Sequence, residues 1–229
     1  MIISHKHKFI FFKNTKTAGS SIEIALSKYC GEHDVLTPLW PNEEELRLSI
    51  GGVGQQNHQL PLEQHRFIHR MKIRFQGKSQ MFAQHAKASE MRPYVTPEIW
   101  NSYYKFVVAR NPWDRMVSHY YFDFRKAEKP NASNYFTRKK LARFNRRGWG
   151  MYTINDIPVV DKICRFENLA ADLEEVRLAI GLPEPLSLPR AKGEFRPKKQ
   201  GYRELLTEEQ SLRIGKIFKK EIDHLGYQF

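Results

Sequence analysis

Cysteine is nearly absent: Cys30 and Cys164 stand far apart among 229 residues. With no Cys-x-x-Cys and no Cys/His set at zinc spacing, a reducing cytoplasm and no structural metal are expected. Long apolar runs are missing too. The longest, Phe9–Phe12 and Phe106–Ala109, have the length of buried strands and fall far short of the ~18 residues of a membrane-spanning helix. Met1-Ile2-Ile3 followed by Ser4-His5-Lys6-His7-Lys8 lacks the charged, apolar and small-residue succession of a secretory leader, so a cytoplasmic location is expected. No internal repeat or low-complexity tract is present. Acidic side chains are the minority charge: 25 Asp and Glu against 38 Lys and Arg leave a formal +13. Such a surplus attracts an anion, which can be nucleic acid, an acidic polysaccharide, a membrane surface or a phosphate-rich small molecule; composition does not choose among them.

What is present suffices for one globular core, with 41% hydrophobic residues, and a single domain over 1–229 is expected. Phe9–Phe12 reads as a short buried strand that runs into the polar turn 13–21, after which Ile22, Ala25, Leu26 and Tyr29 take helical spacing until Gly31. From Asp34 to about Gln80, prolines and the Gly51–Gly54 cluster interrupt any periodicity, so this stretch reads as a loop-rich insertion with one short helix that shapes acceptor choice. The glycine cluster lacks a preceding strand and the right third spacing for a dinucleotide fingerprint, and reads as a flexible loop. A second strand is expected at Met81–Ala83, ending at Gln84-His85-Ala86. A third covers Lys105–Ala109 and enters a helix capped by Asn111 with Pro112 as its first residue. A fourth, Val159–Phe166, leads into a helix from about Asn168 to Ile180, and a final helix spans Glu208–His224. Strands alternating with helices argue an α/β fold with a central parallel sheet flanked by helices, whose ligands sit beyond the C-terminal strand ends.

Two of those strand ends carry chemistry. A strand that passes through small and hydroxyl residues into a helix directs backbone N–H groups, the positive end of the helix dipole and Ser/Thr hydroxyls toward one point, which suits phosphate or sulfate. Lys16 lies in the first such turn, where an ammonium can neutralise charge growing on a transferred group. The Walker pattern needs glycine ahead of its lysine, whereas Gly19 follows Lys16, so a Mg-dependent ATPase or kinase is disfavoured. At the second turn Arg110 ends its strand and Ser118 lies about two helical turns on; a guanidinium fork and a hydroxyl suit a terminal phosphate. Two anion sites on one rim imply a ligand with phosphates at two positions.

These residues carry a resemblance. Lys16-Thr17-Ala18-Gly19-Ser20-Ser21 resembles the 5′-phosphosulfate-binding loop of sulfotransferases, and the segment from Arg110-Asn111-Pro112 through Arg115 to Ser118-His119-Tyr120 resembles their 3′-phosphate-binding motif. Arg165-Phe166-Glu167-Asn168-Leu169 and the ending Gly226-Tyr227-Gln228-Phe229 are similar to later segments of the same family. The likeness is best to the carbohydrate-type branch, with Thr15 standing where many members have Pro. It implies a P-loop-like three-layer sandwich, the donor 3′-phosphoadenosine 5′-phosphosulfate with adenosine 3′,5′-bisphosphate as product, no required metal, and a hydroxyl-bearing carbohydrate acceptor; the basic stretches Arg138–Arg147 and Arg190–Arg203 favour an anionic one but equally suit a solvated face. The binding residues it implies are Lys16, Thr17, Ala18, Gly19, Ser20, Ser21, Arg110 and Ser118, with Arg196, Lys198, Lys199 and Tyr202 as a flap over the nucleotide.

In-line sulfuryl transfer needs a cation on the leaving oxygen and a base for the acceptor proton. Lys16 is the expected cation. His85 is the expected base, since it ends a strand candidate on the same rim and titrates near neutrality; His119 is the competitor, expected beside the 3′-phosphate motif. Glu23 can orient Lys16 or cap the first helix, and the structural role is preferred. A lipid or small-metabolite hydroxyl is the alternative acceptor, and a basic nucleic-acid-binding module the alternative class, for which no recognisable motif is present.

Overall fold

The computed structural model describes residues 1–59, 82–124, 135–189 and 201–229. Its centre is a five-stranded sheet in the order β3-β1-β2-β4-β7, formed by β1 (Ile2–Ser4), β2 (Phe9–Phe12), β3 (Val35–Leu36), β4 (Tyr104–Ala109) and β7 (Lys162–Arg165). β2, β4 and β7 run parallel, with Phe12 beside Val107 and Ala109 beside Arg165, so their C-terminal ends share one rim. A small separate ribbon pairs β5 (Thr153–Ile154) with β6 (Ile157–Pro158).

The strands are apolar on both faces because both faces are covered. Phe9, Phe11, Phe106 and Val108 point to one side, where they meet Ile22 and Leu26 of α1 (Gly19–Ser27) and Leu173 and Val176 of α7 (Leu169–Ala179). Ile10, Phe12 and Val107 point to the other, against Ala88 and Met91 of α3 (Ala88–Met91), Trp100 of α4 (Pro97–Ser102) and Trp149. The period-2 alternation of a strand thus builds three layers. A third core joins α5 (Pro112–Asp123) to α6 (Arg138–Arg146), α8 (Tyr202–Leu205), α9 (Glu208–Ile217) and α10 (Lys219–Leu225) through Trp113, Met116, Tyr120, Leu141, Phe144, Ile214 and Phe218. Asn111 caps α5 as its sequence demands, its side-chain oxygen accepting from the N–H groups of Trp113 and Asp114.

Several expectations need correction. The sheet is mostly, not wholly, parallel: β1 pairs antiparallel with β2 and with β3. A three-residue strand and a two-residue strand are too short for periodicity to reveal, and β3 also places the start of the expected insertion inside the sheet. That stretch does contain one short helix, α2 (Pro41–Ser49), and its residues 60–81 lie outside the described ones. Gly52 is packed rather than open: a Cβ there would come 2.3 Å from Ser27 Oγ. No strand forms at Phe82–Ala83, while Met81 falls outside the described residues; His85 therefore sits in a turn, not at a strand end. The fourth strand shortens to Lys162–Arg165, and the last helix breaks at Phe218, which ends α9 and caps α10. Among the described residues no helix is long and apolar enough to cross a membrane.

Candidate active site

The rim of β2, β4 and β7 gathers the predicted residues. After Phe12 the chain folds into a tight loop in which Lys16 and Ala18 take positive φ values of 62° and 59°. Asn14 organises this turn: its side-chain oxygen accepts from Thr15 N–H at 2.7 Å and its carbonyl accepts from Thr17 Oγ1 at 3.2 Å. Ala18 then begins α1 with no side-chain cap and no acidic residue follows in the first turn. The N-terminus of α1 therefore lacks the side-chain oxygen that α5 takes from Asn111, and its positive end points into the loop. Gly19 is required by close approach: a Cβ there would lie 2.8 Å from Lys13 Cγ and 3.2 Å from the Asn14 carbonyl.

Lys13 cannot easily yield, because its buried ammonium lies 2.9 Å from Glu23. Glu23 also faces Arg47 at 3.1 Å, the Met1 amine at 2.9 Å and Thr37 Oγ1 at 3.2 Å, all buried. Burial opposes its charge, but the surrounding cations prevail and hold its pKa at about 2. Glu23 does not cap α1; its buried partners Lys13, Arg47, Met1 and Thr37 anchor the base of the loop. We expect Gly19→Ala to displace this loop and cost about 1–3 kcal/mol of stability, as overpacked sites do. A melting curve checks it, and an unchanged melting temperature would contradict the tight packing.

On the second turn, Arg110 donates through Nε and Nη2 to one oxygen of Asp114, at 2.7 and 2.6 Å, and through Nη1 to the Lys16 carbonyl at 3.0 Å. Its guanidinium lies 4.1 Å from the centre of the Phe166 ring. Asp114, Ser118 and Phe122 recur every four residues on α5 and so form one stripe. Asp114 holds Arg110 at one end of that stripe, and the Lys16 ammonium lies 4.0 Å over the Phe122 ring at the other. The half-buried Ser118 sits between them. The single helical turn that follows β7, Phe166–Asn168, supports this turn: Glu167 accepts from Asn111 N–H at 2.7 Å and from the Tyr227 hydroxyl at 3.2 Å. Tyr202 accepts from Asn111 Nδ2 at 3.4 Å; Arg196, Lys198 and Lys199 lie outside the described residues.

Both histidines come to this rim. His85 places Nδ1 2.7 Å from the Lys13 carbonyl, which can only accept, so Nδ1 carries the proton and Nε2 keeps its lone pair. By surface area His85 is exposed, yet the protein atoms packed around it lower its pKa to about 4, their desolvation outweighing the carbonyl contact. His119 corrects its expectation. It does not stand apart from the loop lysine: its Nε2 lies 3.1 Å from Thr15 Oγ1, within the loop itself, and its ring stacks on Phe144 at 4.1 Å. Burial, then the charge of Lys16, push its pKa well below 6.5, and it also feels His85. Sequence reasoning missed the Arg110–Asp114 pair, for which the i,i+4 spacing was a usable signal, and the buried Arg115–Glu221 pair, for which no local signal exists.

The loop, the guanidinium and the hydroxyl can bind two anions on one rim, and a neutral imidazole beside them can take a proton. Among the described residues no group of His, Cys, Asp and Glu could hold a metal ion. An uncharacterized protein of Archaeoglobus fulgidus is 32% identical over 101 residues, which are 43% of this chain and 84% of that one. No solved structure matches. The model of the Sulfotransferase family matches residues 1–228, so the chain belongs to the sulfotransferase family and is a transferase that moves sulfuryl groups.

Proposed function

We propose that the protein transfers the sulfuryl group of 3′-phosphoadenosine 5′-phosphosulfate to a carbohydrate hydroxyl. The observation that carries the donor is the hydrogen bond from Arg110 to the Lys16 carbonyl, since it joins two anion-seeking turns across the sheet rim. The residues fit a bisphosphorylated nucleotide. The start of α1 has no side-chain cap to claim its backbone N–H groups, so Thr17, Ala18, Gly19, Ser20 and Ser21 cradle the 5′ end with Lys16. Arg110 and Ser118 take the 3′-phosphate.

The donor supplies an activated sulfuryl group whose bond to the 5′-phosphate oxygen breaks as the acceptor oxygen bonds to sulfur. Lys16 leaves the Phe122 ring to stabilise the negative charge on that departing oxygen. His85 Nε2, held outward by the Nδ1 contact with the Lys13 carbonyl, receives the acceptor proton. His119 is a poorer base, because its Nε2 is engaged by Thr15 and its ring is buried; it holds the loop instead.

An anionic glycan is favoured by α6. Arg138, Lys139, Arg143 and Arg146 are exposed on this helix, and Arg138 and Lys139 begin it, against the helix dipole and with no acidic residue in the first turn. Phe144, on the inner face, stacks on His119, so this cationic helix borders the loop.

Calorimetric titration with adenosine 3′,5′-bisphosphate tests the donor. Metal-independent binding is expected, and Arg110→Ala should weaken it about ten- to hundredfold, the loss of charge-assisted hydrogen bonds worth about 1.5–3 kcal/mol. Unchanged affinity in Arg110→Ala would remove the two-phosphate reading, and binding of ATP only with Mg²⁺ would remove the donor.

A further inference from the structure

Arg110 is not held ready for an anion; it is already paired with one. Asp114, one helical turn on, receives both Nε and Nη2 on a single carboxylate oxygen. The two side chains are 13% and 18% exposed, so most of this pair is withdrawn from water, where charges act more strongly on each other. The guanidinium is further restrained by the Lys16 carbonyl and the Phe166 ring. Asp114 has its own reasons to stay. It is the third residue of α5, where a negative charge is favourable to the helix dipole, and its N–H donates to Asn111 Oδ1. Neither partner can swing away without losing several contacts, so a phosphate reaching Arg110 must share the guanidinium with the carboxylate.

We propose that Asp114 is a resident competitor of the 3′-phosphate: it holds the guanidinium in the correct place when no nucleotide is bound, and by like-charge repulsion it weakens the grip on the nucleotide so that the bisphosphate product leaves. This rests on the reading of Arg110 as a 3′-phosphate ligand. The consequence is counterintuitive for a residue that contacts a binding arginine, because removing its charge strengthens binding. Asp114→Asn keeps the shape and an acceptor oxygen for the guanidinium while deleting the charge.

The test is calorimetric titration of the full chain, wild type and Asp114→Asn, with adenosine 3′,5′-bisphosphate and with adenosine 5′-phosphate. Asp114→Asn should bind the bisphosphate on the order of tenfold tighter, as relief of a like-charge contact predicts. Adenosine 5′-phosphate, which has no 3′-phosphate, should bind both proteins within about twofold, and release of the bisphosphate should slow in proportion to the tightening. The gain should shrink as salt is raised. A merely structural Asp114 would shift both nucleotides together. Asp114→Ser, which also lacks the charge, serves if the asparagine variant folds poorly. Unchanged or weaker bisphosphate affinity in a folded variant overturns the proposal while Arg110 keeps its role. If wild type itself does not prefer the 3′-phosphorylated nucleotide, the underlying reading falls and the proposal with it.

Discussion

His85→Ala is expected to lower kcat by about 10²–10⁴-fold, the range for loss of a positioned general base, and to leave adenosine 3′,5′-bisphosphate affinity within about twofold. Lys16→Ala should cost about 10²–10³-fold in kcat, as loss of a group aimed at developing charge does, and should weaken nucleotide binding too. The pattern separates a base that faces the acceptor from a cation that faces the donor. The pH profile adds a sharper criterion. Burial lowers the His85 pKa to about 4, so in the free enzyme its lone pair is available throughout the neutral range. The acid limb of kcat/KM, which reports the free enzyme, should therefore lie near pH 4 and not near 6.5. A bound polyanionic donor favours the protonated imidazole, which moves the acid limb of kcat to higher pH than that of kcat/KM. Full turnover in His85→Ala would remove the base assignment, and an acid limb of kcat/KM at 6.5 would show that the imidazole is not desolvated.

Much of this site was legible because its signals are local. Phe9–Phe12 and Phe106–Ala109 are apolar without alternation, as strands covered on both faces must be, and Asn111-Pro112 announces the start of α5. Those elements alone set Lys16 and Arg110 on one rim. His85 came to the rim for another reason than the expected one: no strand carries it there, and the Lys13 carbonyl binds its ring across 72 residues. A structural role for Glu23 was preferred from sequence, but its partners were not legible, since Met1, Lys13 and Thr37 come together through the pairing of β1, β2 and β3 and Arg47 is added from α2. Periodicity fails on such short edge strands because two or three residues hold no period. His119 was misplaced for a related reason. Its position on α5 was read correctly, but helix phase does not say which loop crosses that face, and Thr15 crosses it.

Glu221→Ala should be the most destabilising single change away from the rim, costing about 3–5 kcal/mol, because it leaves the guanidinium of Arg115 buried without its counter-charge. Both side chains are fully buried, with Nη1 and Nη2 donating to the two carboxylate oxygens at 3.0 and 2.7 Å. Tyr152 donates a further bond to Glu221 at 3.3 Å; burial, then the nearby carboxylate, push its hydroxyl pKa well above the ordinary value. The guanidinium is closed in on one side by Gly148, where even a Cβ would lie 2.2 Å from Arg115 Nη2. Arg115 belongs to α5 and Glu221 to α10, so the pair pins the helix bearing Arg110's counter-ion and Ser118 to the C-terminal helices. Removing both charges together is a different experiment. Arg115→Met with Glu221→Leu leaves no orphaned ion, and such exchanges are often neutral or stabilising by about 1–4 kcal/mol. Urea denaturation of the three proteins decides the matter. A large loss in Glu221→Ala that the double variant recovers means that the pair contributes orientation of α5 more than net stability. Bisphosphate affinity then becomes the informative readout, because a double variant that is stable but binds weakly would show that α5 has lost its register. If Glu221→Ala costs less than about 1 kcal/mol, the value of an exposed pair, the guanidinium reaches water and the packing around Gly148 is looser than the contacts require.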